Sequence, residues 1–388
     1  MKGMWRRYLA LSLVSAAAAR DCSGSVTVKS QSDADSLSSC KTFDGDVTIA
    51  ASVTGDITFK GVSVINGDFR AEGGSSDDGP TDISSKSITK VKGDLAITSL
   101  SALKSVSLPN LATVGGKVDI SDLISLKSLN LHRINSVGSL RIASAPELVD
   151  FDVGEVSAAR DSDPNKGLKH LTGDNPTVTI KDIGASDIDN IFGGWDASLF
   201  ELSGLPNLYS LLLGVGKVDD VRINGNSNLT LHMVEDGWTE ASQPVMGRLR
   251  ISSVVHIAPC LWPNVHEFVV VDNPVEYLHF GFKALRRLEV RQNPNLRQIV
   301  PFNGASRWDW DLTDVVIEEN PLLRLVELPP RAKNDTLTLE ECSFMWGDEN
   351  RPFIWFTEEL QTVAISGNVD NSFLLVCNAP LPPFCFPS

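Results

Sequence analysis

Paired carboxylates are the residues of this sequence best suited to chemistry. Asp77-Asp78 and Asp219-Asp220 are adjacent acids, and two carboxyl groups flanking a sugar linkage can serve as acid and base in glycoside hydrolysis. Asp77-Asp78 sits in the run Gly73 to Pro80, whose Gly, Ser and Asp content reads as a loop. Asp219-Asp220 precedes the strand Val221-Arg222-Ile223. Neighbouring residues of a regular strand face opposite ways, so these two acids are expected not to share a site. Both pairs read as solvated turn residues. His266-Glu267 opens like a zinc-protease motif but has Val270 where the second histidine must stand. Gly304-Ala305-Ser306-Arg307-Trp308 lacks the closing glycine of a nucleophile elbow. The histidines at 132, 170, 232, 256 and 279 show no recurring acidic or nucleophilic neighbour and are expected at the surface or satisfied inside. The expectation is no catalytic residue, no metal and no cofactor. The competing class is a polysaccharide-active β-helix enzyme.

The other reactive groups depend on where the chain goes. Lys2, Arg6 and Arg7, the apolar run Tyr8 to Ser15 and the alanines Ala16 to Ala19 have the order of a secretory signal peptide over residues 1–19. That run is shorter than the roughly 20 residues of a membrane span, and no later stretch approaches that length. A secreted chain oxidises its cysteines. Of the six, Cys22 and Cys40 stand alone in the first half and are expected to pair. Cys260, Cys342, Cys377 and Cys385 allow three pairings, among which the sequence does not choose. The absence of any Cys-x-x-Cys argues against zinc. Asn228-Leu229-Thr230 and Asn334-Asp335-Thr336 are glycosylation acceptors in a secreted chain. Seven of the eight tryptophans lie from Trp195 onward, and core or cap filling is the first expectation for these aromatic patches. Trp308 and Trp310 are alternate residues that would share one strand face, so they form the candidate ligand surface, for a sugar ring or a protein.

The elements that must carry these groups are repeats. Gly45-Asp46-Val47-Thr48-Ile49, Gly55-Asp56-Ile57-Thr58-Phe59, Gly67-Asp68-Phe69 and Gly93-Asp94-Leu95-Ala96-Ile97 are short alternating strands. Glycine before each is expected to permit a tight turn. Leu103-Lys104-Ser105-Val106-Ser107-Leu108 and Leu126-Lys127-Ser128-Leu129-Asn130-Leu131 match at an offset of 23, and Val118-Asp119-Ile120 and Leu140-Arg141-Ile142 at 22. That period marks a solenoid coil, of leucine-rich-repeat or β-helix type, which must stack to bury its apolar row. Farther on, strands run into Asn273-Pro274, Asn293-Pro294 and Asn320-Pro321, read as the corner leaving each strand. Gln31 to Leu37 reads as a short helix with Ser32 as a candidate N-cap, stapled over the first coil by Cys22 and Cys40. Two solenoid halves, 20–156 and 168–388, are expected around a loop or linker at 157–167, with the later cysteines closing the far end.

Composition limits the partners. The chain has 388 residues, 42% hydrophobic and 21% charged, which excludes a disordered protein. Lys+Arg is 34 against Asp+Glu 49, a net charge of −15, which argues against nucleic acid and anionic lipid. A broad sheet face suits another protein or an extended glycan.

The segment Cys22-Ser23-Gly24-Ser25-Val26-Thr27-Val28, Gln31 to Leu37, Cys40 and Gly45 to Ile49 resembles the mature start of a fungal group. These are the cell-wall organisation proteins with receptor-L-domain-like repeats, the "extracellular mutant" and sporulation-specific proteins, usually GPI-anchored. The likeness covers Cys22 to Ile142 and thins from Leu148 onward. It implies a fungal source and an all-β fold: a right-handed parallel β-helix or leucine-rich-repeat-like solenoid of receptor L-domain type. It also implies a cell-wall role through a cell-wall glycan or surface protein, and no catalytic residues. One departure stands out. After Phe373 to Cys377 come Pro380, Pro382, Pro383 and Pro387, which interrupt the apolar tail of a GPI signal. The expectation is a protein secreted to the medium or the wall, or else a reading frame that continues past Ser388.

Overall fold

The computed structural model describes residues 21–74, 79–154, 168–232, 245–257, 264–282, 284–301 and 314–327. It also describes the strands Thr336–Glu340, Phe353–Phe356, Val363–Ser366 and Leu374–Cys377. The signal-peptide reading, Asp77-Asp78, Cys260, Cys342, Cys385, Trp308, Trp310, Asn334 and the 157–167 loop lie outside the described residues.

The chain is a nearly all-β solenoid of stacked parallel coils. Among the described residues its spine is a main sheet of 15 strands running from Val26–Val28 to Val363–Ser366. The register reproduces both sequence offsets: Val106 pairs with Leu129, and Val118 with Leu140. Coil length varies farther along, from 19 residues between Arg248 and Glu267 to 38 between Leu140 and Val178, but each pairing still stacks inward residues on inward residues. Val118, Ile120, Leu140 and Ile142 are buried in one apolar core that extends from Val26 to Val326. Each such side chain contributes roughly 1.5–3 kcal/mol by leaving water.

Coil design changes along the axis. Up to Asp150–Val153 and His170–Leu171 each coil after the first feeds three sheets: the main one, a 5-stranded one and a 6-stranded one; in the first coil a helix stands in place of the 5-stranded sheet's strand. Beyond them, coils feed the main sheet and one side sheet, first 3-stranded from Ser210–Leu212, then 5-stranded from Tyr277–Phe280. The main ladder passes through this change, with Leu140 paired to Val178.

Three ladders of small polar groups fix the corners. In the first, Asp46 Oδ1 accepts from the Asp68 N–H at 2.9 Å, Asp68 Oδ1 from the Asp94 N–H at 2.7 Å, and Asp94 Oδ1 from the Lys117 N–H at 2.8 Å. At Gly67 and Gly93 these carboxylates account for the glycine differently from the tight-turn expectation, whereas Gly55, at φ 83°, has the left-handed backbone that expectation calls for. A Cβ at Gly67 or Gly93 would collide with the Asp46 or Asp68 carboxylate of the preceding coil. Close approach, rather than a left-handed backbone, therefore demands glycine there. Gly55 is not equivalent to them: it opens Gly55–Phe59, a side-sheet strand paired with Pro80–Ser85.

The second ladder is a column of left-handed residues two places after the last inward aliphatic. Ser99, Asp122, Ser144, Asp182, Ser253, Asp272, Gln292 and Glu319 all have φ between 51 and 58°. They hold this conformation, usually left to glycine or asparagine, because the coil corner repeats and their N–H groups bond the next coil, as Ser99 does to the Ser121 carbonyl. The third ladder is the asparagine of each Asn-Pro corner. Asn273, Asn293 and Asn320 are fully buried. Asn273 Oδ1 accepts from the Val254 N–H at 2.9 Å, Asn293 Oδ1 from the Asn273 N–H at 3.0 Å, and Asn320 Oδ1 from the Asn293 N–H at 3.0 Å.

The N-terminal end is closed by the helix Gln31–Ser36. Its N-cap is Ser30, not Ser32: Ser30 is extended and its Oγ accepts from the Asp33 N–H, while Asp33 Oδ2 accepts from the Lys29 N–H at 2.9 Å. Ser32 lies within the helix. Gln31 reaches the edge strand Gly55–Phe59, donating to the Thr58 carbonyl and accepting from the Thr58 N–H, both at 2.8 Å. The side-chain amide thus pairs an edge that could otherwise recruit another strand. Cys22 and Cys40 are joined by a disulfide with Cα atoms 5.6 Å apart. Among the described residues, no helix is long and apolar enough to cross a membrane.

Candidate functional site

The outer face of the main sheet carries a groove of about 580 Å³. Its lining is almost wholly ionisable: Asp219, Asp220, Arg248, His266, Glu267, Arg286, Arg287 and Asp314, with Gly247 among them.

A shared irregularity of the strands builds this groove. In Lys217–Asn224 the buried residues are Val218, Val221 and Ile223, so two residues, Asp219 and Asp220, stand outward together. The same spacing gives Met246, Leu249 and Ile251 around Gly247-Arg248, and Val265, Phe268 and Val270 around His266-Glu267. It continues with Leu285, Leu288 and Val290 around Arg286-Arg287. This corrects the expectation that Asp219 and Asp220 face opposite ways. The alternation is interrupted at one level in successive coils, so both acids line one groove. The signal was present in the sequence as apolar residues three and then two apart, but a strict period of two does not detect it.

Charges alternate along the groove. Parallel register places Asp220 beside Arg248, Arg248 beside Glu267, Glu267 beside Arg287, and Arg287 beside Asp314. Arg248 and Glu267 pair at 2.8 Å, Asp220 pairs with Arg222 at 2.6 Å, and Arg287 with Glu289 at 3.0 Å and also with Asp314. The Glu289 carboxylate above all, with Asp314 and Glu267 nearby, holds the Arg287 guanidinium above the usual arginine range, against the opposing effect of burial. Asp220 does the same to Arg222. Asp219 is exposed and makes no ion pair among the described residues. At Gly247 a Cβ would collide with the Asp219 carbonyl, so this position cannot fill the groove with a side chain.

The arrangement presents paired donors and acceptors on a fixed scaffold. Among the described residues no group of His, Cys, Asp and Glu is placed to hold a metal. Of the other sequence candidates, Asn228 is exposed just before the strand Thr230–His232, with its N–H bonded to Asn226 Oδ1. Cys377 ends the strand Leu374–Cys377. Trp195 is buried, its Nε1–H bonded to the Ile191 carbonyl and its ring packed on Phe192 and Phe200, which is the core role expected for the aromatics. His132 pairs with Asp152 at 3.1 Å, an acidic neighbour in the next coil that linear spacing does not reveal.

Two curated proteins are similar to this chain. A cell surface GPI-anchored protein of Arthroderma benhamiae is 33% identical over 97 residues, 25% of this chain and 24% of that protein. Protein ecm33 of Aspergillus fumigatus is 25% identical over 216 residues, 54% of this chain and 46% of that protein. The chain thus spans between a quarter and a half of the length of these relatives. No protein-family profile and no solved structure matches. The fungal resemblance drawn from Cys22 to Ile142 is borne out by these relatives.

Proposed function

We propose that this protein is a non-catalytic cell-surface or cell-wall protein that contributes to fungal wall organisation through contacts on the outer face of its main sheet. The observation that carries the reading is the groove, where Arg248 is tied to Glu267 and Arg287 to Asp314 across neighbouring coils, and Asp220 to Arg222 within its own strand. Such pairs offer a rigid surface for recognition, whereas an acid catalyst needs a carboxyl able to give and take a proton. The similarity to a cell surface protein supports the location. In this reading the chain is secreted, Asn228 and Asn334 carry glycans, Trp308 and Trp310 add to the contact surface, and 157–167 separates two solenoid halves.

The competing reading is a polysaccharide-active enzyme. It is favoured by one observation, the outward pair Asp219 and Asp220 beside His266 and Glu267. Incubation of the pure protein with wall glucans, chitin and pectin separates the two. Binding to isolated wall material without release of reducing ends is the expected result. Steady release that disappears in Asp219→Ala and Asp220→Ala would establish the enzyme instead.

A further inference from the structure

We propose that the groove binds an extended, uncharged polysaccharide chain lying across the coils. This rests on the contact role of the main-sheet face and names its ligand class.

The first argument is shape. The lining residues come from five successive positions of the main sheet, around Asp220, Arg248, Glu267, Arg287 and Asp314. Strands about 4.8 Å apart make this a strip about 20 Å long, running along the solenoid axis. A pyranose unit in an extended chain has nearly the length of one such step, so successive sugars meet successive coils. Gly247 keeps the strip open at its second coil, because its backbone lies against the Asp219 carbonyl and admits no side chain.

The second argument is charge. Asp220 Oδ2 is paired with Arg222, Glu267 with Arg248, and Asp314 with Arg287, while Asp220 Oδ1 is buried without a hydrogen-bond partner. A strongly anionic or cationic ligand would have to break these pairs. A hydroxyl does not: it donates to a carboxylate oxygen and accepts from a guanidinium N–H while the pair persists. Vicinal hydroxyls therefore suit a row in which carboxylate and guanidinium alternate. Exposed Asp219 adds an acceptor at the rim.

The test is calorimetric titration of the secreted protein with three hexasaccharides, β-1,3-glucan, β-1,4-glucan and polygalacturonate, at low and high salt. At least one neutral glucan is expected to bind with little change between the two salt conditions, since screening acts on charges. Polygalacturonate is expected to bind at least about tenfold more weakly. Asp219→Ala, and the double variant Asp219→Ala with Arg248→Ala, should weaken neutral binding about tenfold or more. Tyr277→Ala, on the side sheet, should not. Asp219 is exposed, so its single variant keeps the fold and the test stands if the double variant does not. Absence of binding by both neutral glucans, steep loss with salt, or unchanged affinity in both groove variants overturns the proposal. If wall material still binds the protein and is lost in the variants while neither glucan binds, the ligand class is wrong and the contact role stands.

Discussion

At the scale of single residues, the decisive positions are those where a side chain meets the neighbouring coil. Gly247 borders the Asp219 carbonyl so closely that even a methyl group would force the backbone apart. Gly247→Ala is expected to lower stability by about 1–3 kcal/mol, the usual cost of overpacking. Gly74→Ala, where an added Cβ meets nothing within 4 Å, should be near neutral. Thermal melts of the two variants check this. Asn293 is a stronger case. Its side-chain amide donates to the Arg291 carbonyl at 2.8 Å and to Asn320 Oδ1 at 2.9 Å, and its Oδ1 accepts from the Asn273 N–H, the last two bonds fully buried. Asn293→Ala leaves the Asn273 N–H without its partner and removes the amide donor to the Val270 and Arg291 carbonyls, while Asn320 Oδ1 keeps the Asn293 N–H; the cost is about 1–3 kcal/mol for each uncompensated group. Urea midpoints should fall well below those of a surface control such as Asn295→Ala.

At the scale of elements, Asp68 in the aspartate ladder makes the first coils sensitive to acid. The Asp94 backbone N–H first, then Arg70, hold the Asp68 carboxyl below the usual carboxylate range, against burial. In the interval between its folded and unfolded pKa values, the unfolded chain binds the proton more readily. The contribution of Asp68 is therefore complete above the ordinary carboxylate value of about 3.9 and is lost as pH falls through its lowered folded value. Unfolding midpoints measured from neutral pH downward should drop in this acid range, and Asp68→Ala should show a smaller drop from a lower starting point. An equal acid drop in the variant would show that Asp68 is not responsible. The helix Gln31–Ser36 acts at the same scale, because Gln31 occupies the edge of Gly55–Phe59 with the bonds a further strand would make.

At the scale of the whole molecule, a solenoid unfolds from its ends unless they are held. The Cys22–Cys40 bridge, 18 residues apart in sequence, ties the first strand to the end of the cap helix. Chain-entropy arguments assign a loop of this size about 3 kcal/mol. Cys22→Ser with Cys40→Ser should accelerate amide exchange in Val26–Val28 and Val47–Ile49 while leaving Leu249–Ile251 unchanged. Uniform acceleration along the chain would show a single cooperative unit rather than an end effect. The change from three sheets per coil to two, on a continuous main ladder, gives one scaffold two cross-sections. The charged groove lies wholly on the second.

Sequence alone determined the solenoid, its 22-to-23-residue register and the Asn-Pro corners, because each is a local pattern repeated along the chain. It could not assign Gly55 to a different sheet from Gly67, since both open the same alternating pattern and only stacking separates them. It also missed the groove. Asp219 and Asp220 look like opposite faces of one strand until Val218 and Val221 are both seen to be buried. The alternation of Asp220, Arg248, Glu267, Arg287 and Asp314 joins residues 19 to 28 positions apart. Only the parallel register brings them together, because it is the burial of aliphatic rows inside that sets which charges become neighbours outside.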